Sequence, residues 1–138
     1  MQLFLFFIAQ QWILVGAFLA LVILYFWIET RRGGLVIPPQ QLALLVNREN
    51  AQVIDLREAA DFRAGHIAGA INVPFKQLDQ RLPDLEPYRD KPLILVCQHG
   101  TSASAAGRRL QQAGFAGLHR LAGGLREWEG ARLPLVKA

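Results

Sequence analysis

No charged side chain occurs before Glu29, and across residues 3–28 the only clearly polar residues are Gln10 and Gln11. Residues 12–28 form an unbroken apolar run of 17 residues, about 25 Å as a helix at ~1.5 Å per residue. That is at the short end for crossing a bilayer; with residues 3–9 the length is ample. Trp12 at one end, with Tyr25 and Trp27 at the other, fit the aromatic belts of the two membrane interfaces. A soluble core helix would interleave polar with apolar positions, and this one does not. A cleaved signal peptide would carry a basic start and a small-residue cleavage site. Here the start has no Lys or Arg, and the run ends Tyr25-Phe26-Trp27-Ile28-Glu29-Thr30-Arg31-Arg32. Residues 1–34 are therefore expected to be a retained single-pass anchor, meeting lipid through residues 3–28, with Gly33-Gly34 as a hinge.

Charge gives the expected orientation. Arg31 and Arg32 flank the C-terminal end of the run and nothing basic flanks the other. The positive-inside rule then puts residues 35–138 in the cytoplasm, and the membrane expected is the inner (cytoplasmic) one. A single cysteine forms no internal disulfide and agrees with a reducing compartment. One Cys and three scattered His make no zinc cluster, so no metal and no cofactor is expected. The formal net charge of +4 belongs wholly to the part after the anchor. Its bases are interspersed with acids, which suits small anions or lipid headgroups and not a nucleic acid.

The remainder is long enough for one domain with a real core. Residues 35–37, 52–56, 70–73, 93–96 and 118–121 read as five short strands. Between them lie a helix begun by Pro38-Pro39 with Leu42, Leu45 and Val46 on one face, a short helical turn at 59–63 closed by Gly65, and a helix over 75–81. A loop punctuated by Pro83, Pro87 and Pro92 follows. Further helices are expected from Thr101 or Ser102 as the cap, with Ala103, Ala106, Leu110 and Ala113 inward, and over 125–129 around Trp128. Strands alternating with helices argue for an α/β fold, a five-stranded parallel sheet flanked by helices. Ligands bind such sheets at the carboxyl ends of the strands.

Cys97 stands at one of those ends. It follows Leu93-Ile94-Leu95-Val96 and opens the turn Gln98-His99-Gly100-Thr101-Ser102, with an alanine-rich helix next. Ionising half of an ordinary cysteine at neutral pH takes about 2 kcal/mol. A helix N-terminus supplies about 0.3–1 kcal/mol, and up to ~2 when partly buried. Loop N–H groups add hydrogen bonds to the anion. The position suits a thiolate; it equally suits a cysteine packed at a strand end.

Three further motifs point to a family. Asp55-Leu56-Arg57 is similar to a strand-ending Asp-x-Arg. Gly65-His66-Ile67-Ala68-Gly69-Ala70-Ile71-Asn72-Val73-Pro74 follows the pattern Gly-His-Ile-x-Gly-Ala-x-Asn-x-Pro. Gly123-Gly124 and Trp128 fit a C-terminal Gly-Gly-x-x-x-Trp. Together they resemble the rhodanese (sulfurtransferase) domain over about residues 35–136. The loop departs from that family's commonest form, in which an arginine lies five residues after the cysteine; here Ser102 does. It resembles instead the Cys-x-His-Gly-x-Ser loop of some small bacterial thiosulfate sulfurtransferases. Related phosphatases need Cys-x5-Arg, and Ala103 occupies that register.

The resemblance implies a sulfurtransferase in which Cys97 takes a sulfur from a small anionic donor such as thiosulfate and passes it, as a persulfide, to an external thiol, cyanide or protein cysteine. Backbone N–H groups from Gln98, His99, Gly100, Thr101 and Ser102 would form the anion nest, with Asp55 and Arg57 in support. His99 can lend a hydrogen bond or simply face solvent; Ser102 is as well suited to a helix cap as to a substrate contact. Arg57 can reach the loop or pair with an acid such as Asp61. His66 and Trp128 read as structural, and His119, Arg108 and Arg109 as surface residues. The rival reading is a catalytically weak, membrane-anchored fold serving as an interaction module or a dedicated persulfide relay.

Overall fold

The computed structural model describes residues 1–31 and 33–137, except the side chains of Thr30 and Arg31. Arg32 and the Arg31 side chain, on which the orientation reading rests, lie outside the described residues. The chain divides into two compact units, Met1–Arg31 and Arg32–Ala138.

The first unit is a single helix, α1 (Gln2–Arg31). Its 30 residues make about 45 Å of helix at ~1.5 Å per residue. Its large apolar side chains, Phe4, Trp12, Phe18 and Ile23 among them, are exposed. Among the described residues it is the one helix long and apolar enough to cross a membrane.

The second unit is built on five parallel strands: β1 (Leu35–Ile37), β2 (Gln52–Asp55), β3 (Ile71–Asn72), β4 (Leu93–Val96) and β5 (Leu118–Leu121). They lie in the order β1-β5-β4-β2-β3. β4 is central, with Leu95 beside Ile54 of β2 and Arg120 of β5. Its four residues are all buried, and side chains alternate between faces as a strand requires. Leu93, Leu95 and Cys97 join the core under α4 (Leu78–Leu85) and α5 (Thr101–Gln112). Ile94 and Val96 join the opposite core, with Leu42 of α2 (Pro39–Glu49) and Leu125 and Trp128 of α6 (Gly124–Gly130). A short α3 (Ala59–Ala64) follows β2. The expected α/β architecture is the observed one.

Four local expectations change. Pro83 does not open a loop: α4 runs through it to Leu85 and a 3₁₀ turn, Glu86–Tyr88, follows. A proline forfeits one backbone bond, and complete burial of Leu85 holds the turn beyond it. Neither Thr101 nor Ser102 caps α5; Gly100 does, in left-handed conformation with φ 92°. Gly33 and Gly34, expected as a hinge, are buried. The Gly33 N–H donates to Gln111 Oε1 (3.1 Å) and the Gly34 carbonyl accepts from Arg120 Nε (3.3 Å). His119, expected at the surface, is half-buried with Nδ1 3.2 Å from the Gly117 carbonyl. The chain also closes where no pattern pointed, with His66 and Val136 exchanging two backbone hydrogen bonds of 2.8 Å.

Candidate active site

β4 delivers Cys97 to the carboxyl edge of the sheet, where the residue keeps 4% of its surface exposed. The chain then turns sharply. Gly100 takes φ 92°, a conformation that costs a side-chain-bearing residue about 1–2 kcal/mol, and its N–H lies 2.9 Å from Cys97 Sγ. α5 begins at the next residue, so its unpaired N–H groups and positive end lie beside the loop. Gln98 and His99 are exposed, Thr101 is exposed and Ser102 half-buried. Of the expected loop residues, Gly100 is the one bonded to the sulfur.

A second segment grips the loop from behind. The Leu125 N–H donates to the Cys97 carbonyl (2.8 Å) and the Arg126 N–H to the Gln98 carbonyl (3.2 Å). This close approach needs Gly124. A Cβ there would overlap the Cys97 carbonyl oxygen and come within 2.7 Å of the Gln98 carbonyl group, and its φ is +65°. The Gly-Gly-x-x-x-Trp motif thus has a physical role the sequence left unread. Its glycines let α6 start against the cysteine loop, and Trp128, 5% exposed with Nε1 bonded to the Pro134 carbonyl at 3.1 Å, fixes α6 in the core.

Asp55 and Arg57 do not join the sulfur. Arg57 pairs with Asp55, not with Asp61: Nη2 lies 2.8 Å from Asp55 Oδ2 and Nε 3.1 Å from Oδ1. The same Nη2 donates to the Gly65 carbonyl at 2.6 Å. Asp55 also accepts the Arg57 N–H (3.0 Å), and Asn72 Nδ2 donates to the Asp55 and Arg57 carbonyls (3.1 and 2.9 Å). These bonds tie together the turn between β2 and α3. That turn meets β4 where the Leu56 N–H bonds the Val96 carbonyl at 2.8 Å. Asn72 belongs to this brace, and in the sequence it stands out only as part of a motif. His66 is structural as read: Nδ1 lies 2.7 Å from the Phe62 carbonyl and its ring stacks on Phe62 with centroids 3.8 Å apart.

A parallel α/β sheet that ends its central strand in a cysteine cradled by a glycine-bearing loop defines the class. Residues 38–131 match the Rhodanese-like domain family, and the chain belongs to it. It is 41% identical over 103 residues to the uncharacterized protein YibN of Escherichia coli strain K12, covering 74% of this chain and 72% of that one. It is 33% identical over 91 residues to the thiosulfate sulfurtransferase GlpE of Shewanella oneidensis, covering 66% of this chain and 88% of that one. Among solved structures it is similar to a rhodanese-related protein from Thermoplasma volcanium, with a TM-score of 0.68 and 30% identity over 75% of this chain and 99% of that one. It is also similar to a thiosulfate sulfurtransferase from Pseudomonas aeruginosa, with a TM-score of 0.66 and 28% identity over 75% of this chain and 20% of that one.

Proposed function

We propose that this protein is a sulfurtransferase that carries a sulfane sulfur on Cys97, within a domain of residues 35–138 held at a membrane by residues 1–34. The observation that carries the reading is the Gly100 N–H aimed at Cys97 Sγ from 2.9 Å, a bond that strengthens as negative charge gathers on sulfur. The Cys97 thiolate attacks the outer sulfur of thiosulfate. The new S–S bond forms as the old one breaks, and sulfite leaves with the bonding pair. A thiolate or cyanide then attacks the outer sulfur of the Cys97 persulfide and returns Cys97 as thiolate. No external oxidant or reductant enters either step. The two-step route is covalent catalysis. The N–H groups of residues 98–102 hold the donor's charge, with His99 at the exposed rim and Asp55 and Arg57 bracing the neighbouring turn. A chain with one cysteine hands its sulfur to an acceptor outside itself.

Mass spectrometry of the full chain after thiosulfate treatment is expected to show one added sulfur on Cys97, removed by cyanide and absent in Cys97→Ser. A protein that gains no sulfur, yet retains a binding partner equally well as Cys97→Ser, would be an interaction module instead. For the anchor, the reading is that α1 spans the inner membrane with the domain in the cytoplasm. A membrane-impermeant maleimide should label Cys97 only after cells are opened; labelling in intact cells reverses the orientation.

A further inference from the structure

Residues 97–103 contain no lysine or arginine, although a doubly charged donor needs positive potential at the sulfur. The side chains that follow the carboxyl ends of the strands are the ones able to supply it. Arg57 is committed to Asp55 and the Gly65 carbonyl. Lys76 follows β3, two strands from β4 in the sheet order, about 10 Å sideways at ~4.8 Å per strand. Arg109 lies two turns along α5 and is paired with Asp79. Arg126 differs from all of these. Its own N–H is bonded to the carbonyl of Gln98, the residue after the cysteine. Leu125 and Trp128 on either side of it are buried and hold its backbone in place. Its side chain is exposed and, among the described residues, has no hydrogen bond or ion pair. The adjacent acid, Glu127, packs over Gly123 and forms no ion pair with it.

We propose that Arg126 supplies the positive potential over Cys97 and selects anionic sulfur donors, acting from α6 and not from within the cysteine loop. The inference rests on the sulfur-transfer reading for its biological meaning, but its electrostatic content is measured without any sulfur transfer. Cys97 is the only cysteine in the chain, so alkylation reads this site alone. The ratio of its rates with anionic iodoacetate and neutral iodoacetamide, of nearly equal size, cancels the fraction of thiolate and reports local potential. In the full chain in a nonionic detergent at low salt, Arg126→Gln should lower this ratio about two- to five-fold, the effect of one charge within a Debye length in a mostly aqueous setting. Arg126→Lys should keep most of the ratio, and Arg126→Glu should lower it further. Arg48→Gln, at the far end of α2, should leave it unchanged. Arg126→Gln should also raise KM for thiosulfate more than it lowers kcat. An unchanged ratio in Arg126→Gln, or an equal fall in Arg48→Gln, overturns the proposal. A wild-type protein that shows the ratio effect but never loads sulfur from thiosulfate overturns the sulfur-transfer reading and leaves the potential assigned to Arg126 intact.

Discussion

Gly107, in the middle of α5, lies backbone to backbone against Gly33: a Cβ on Gly107 would overlap the Gly33 carbonyl, oxygen and carbon both. The contact explains a glycine in a helix interior, where it costs about 1 kcal/mol relative to alanine. Gly33 answers in kind, with φ +86° and its own Cβ position 2.5 Å from the Ser104 carbonyl oxygen. The segment leading into β1 is thereby strapped onto the helix that begins at the cysteine loop.

Gly107→Ala should lift this strap. Backbone atoms cannot rotate aside as a side chain can, so the expected loss is about 1–3 kcal/mol, the cost of an overpacked core site. Urea denaturation of the full chain in detergent measures it. Limited proteolysis should at the same time open a cleavage site near Gly33-Gly34. Retention of both wild-type stability and protease resistance would mean the strap is not docked.

Gly124→Ala tests the grip on the loop. The added methyl would drive against the Cys97 and Gln98 carbonyls, and φ +65° resists a side chain as well. Displacing the Leu125 and Arg126 donors moves the loop that aims Gly100 at the sulfur. A shift of about 1 Å at a reacting centre costs on the order of 10²-fold in rate. The expected outcome is a loss of that size in persulfide formation from thiosulfate, with far-ultraviolet circular dichroism showing the helices still formed. Near-normal sulfur loading would free the reading of this clamp.

The sheet and its cysteine were legible because each strand announces itself locally. Leu93-Ile94-Leu95-Val96 is apolar throughout since both faces of β4 are covered, and Cys97 follows at the carboxyl edge by chain order alone. The inward stripe Ala103, Ala106 and Leu110 of α5 is equally periodic, and all three are buried. What the sequence hid are contacts between backbones far apart in the chain: Gly33 on Gly107, Gly124 on Cys97, and Val136 paired with His66. Such contacts leave a lone glycine or no trace, with no period to read. Pro83 misled for a different reason, since local propensity yielded to burial of Leu85. Arg57 had two acids within reach. The choice of Asp55 over Asp61 follows from the Gly65 carbonyl, which the same Nη2 also bonds.

That choice makes the Asp55–Arg57 pair a test of structural against catalytic roles. The side chains are 2% and 10% exposed, so removing the arginine strands a buried carboxylate. Arg57→Met is expected to cost about 3–5 kcal/mol. Asp55→Asn/Arg57→Met, which removes both charges, should recover a measurable part of that loss. A double-mutant cycle in urea gives the coupling, and strictly additive losses would show the pair to be independent. If the brace is only structural, the alkylation rate of Cys97 in the double variant stays near that of the wild type.

Glu86 provides the pH-dependent case. Arg89 donates through Nη2 and Nε to its two carboxylate oxygens (2.5 and 2.9 Å). Arg89 also donates through Nη1 to the Ala113 carbonyl (3.0 Å) and lies 4.6 Å over the Phe115 ring. Glu86 therefore orients a guanidinium that closes the end of α5. The hydrogen bond from Arg89, opposed by desolvation and helped by the guanidinium charge, holds the Glu86 carboxyl below its usual 4.5. A carboxyl lowered in the folded state stabilises the fold above its unfolded value, and the benefit is lost as pH falls through the folded one. Wild type should therefore melt above Glu86→Gln at neutral pH, by a gap that is constant down to about 4.5 and closes as the solution becomes more acid. Thermal melts of the two proteins across that range check it. A gap that survives at acid pH would show that the side chain acts through packing, with no part played by its charge.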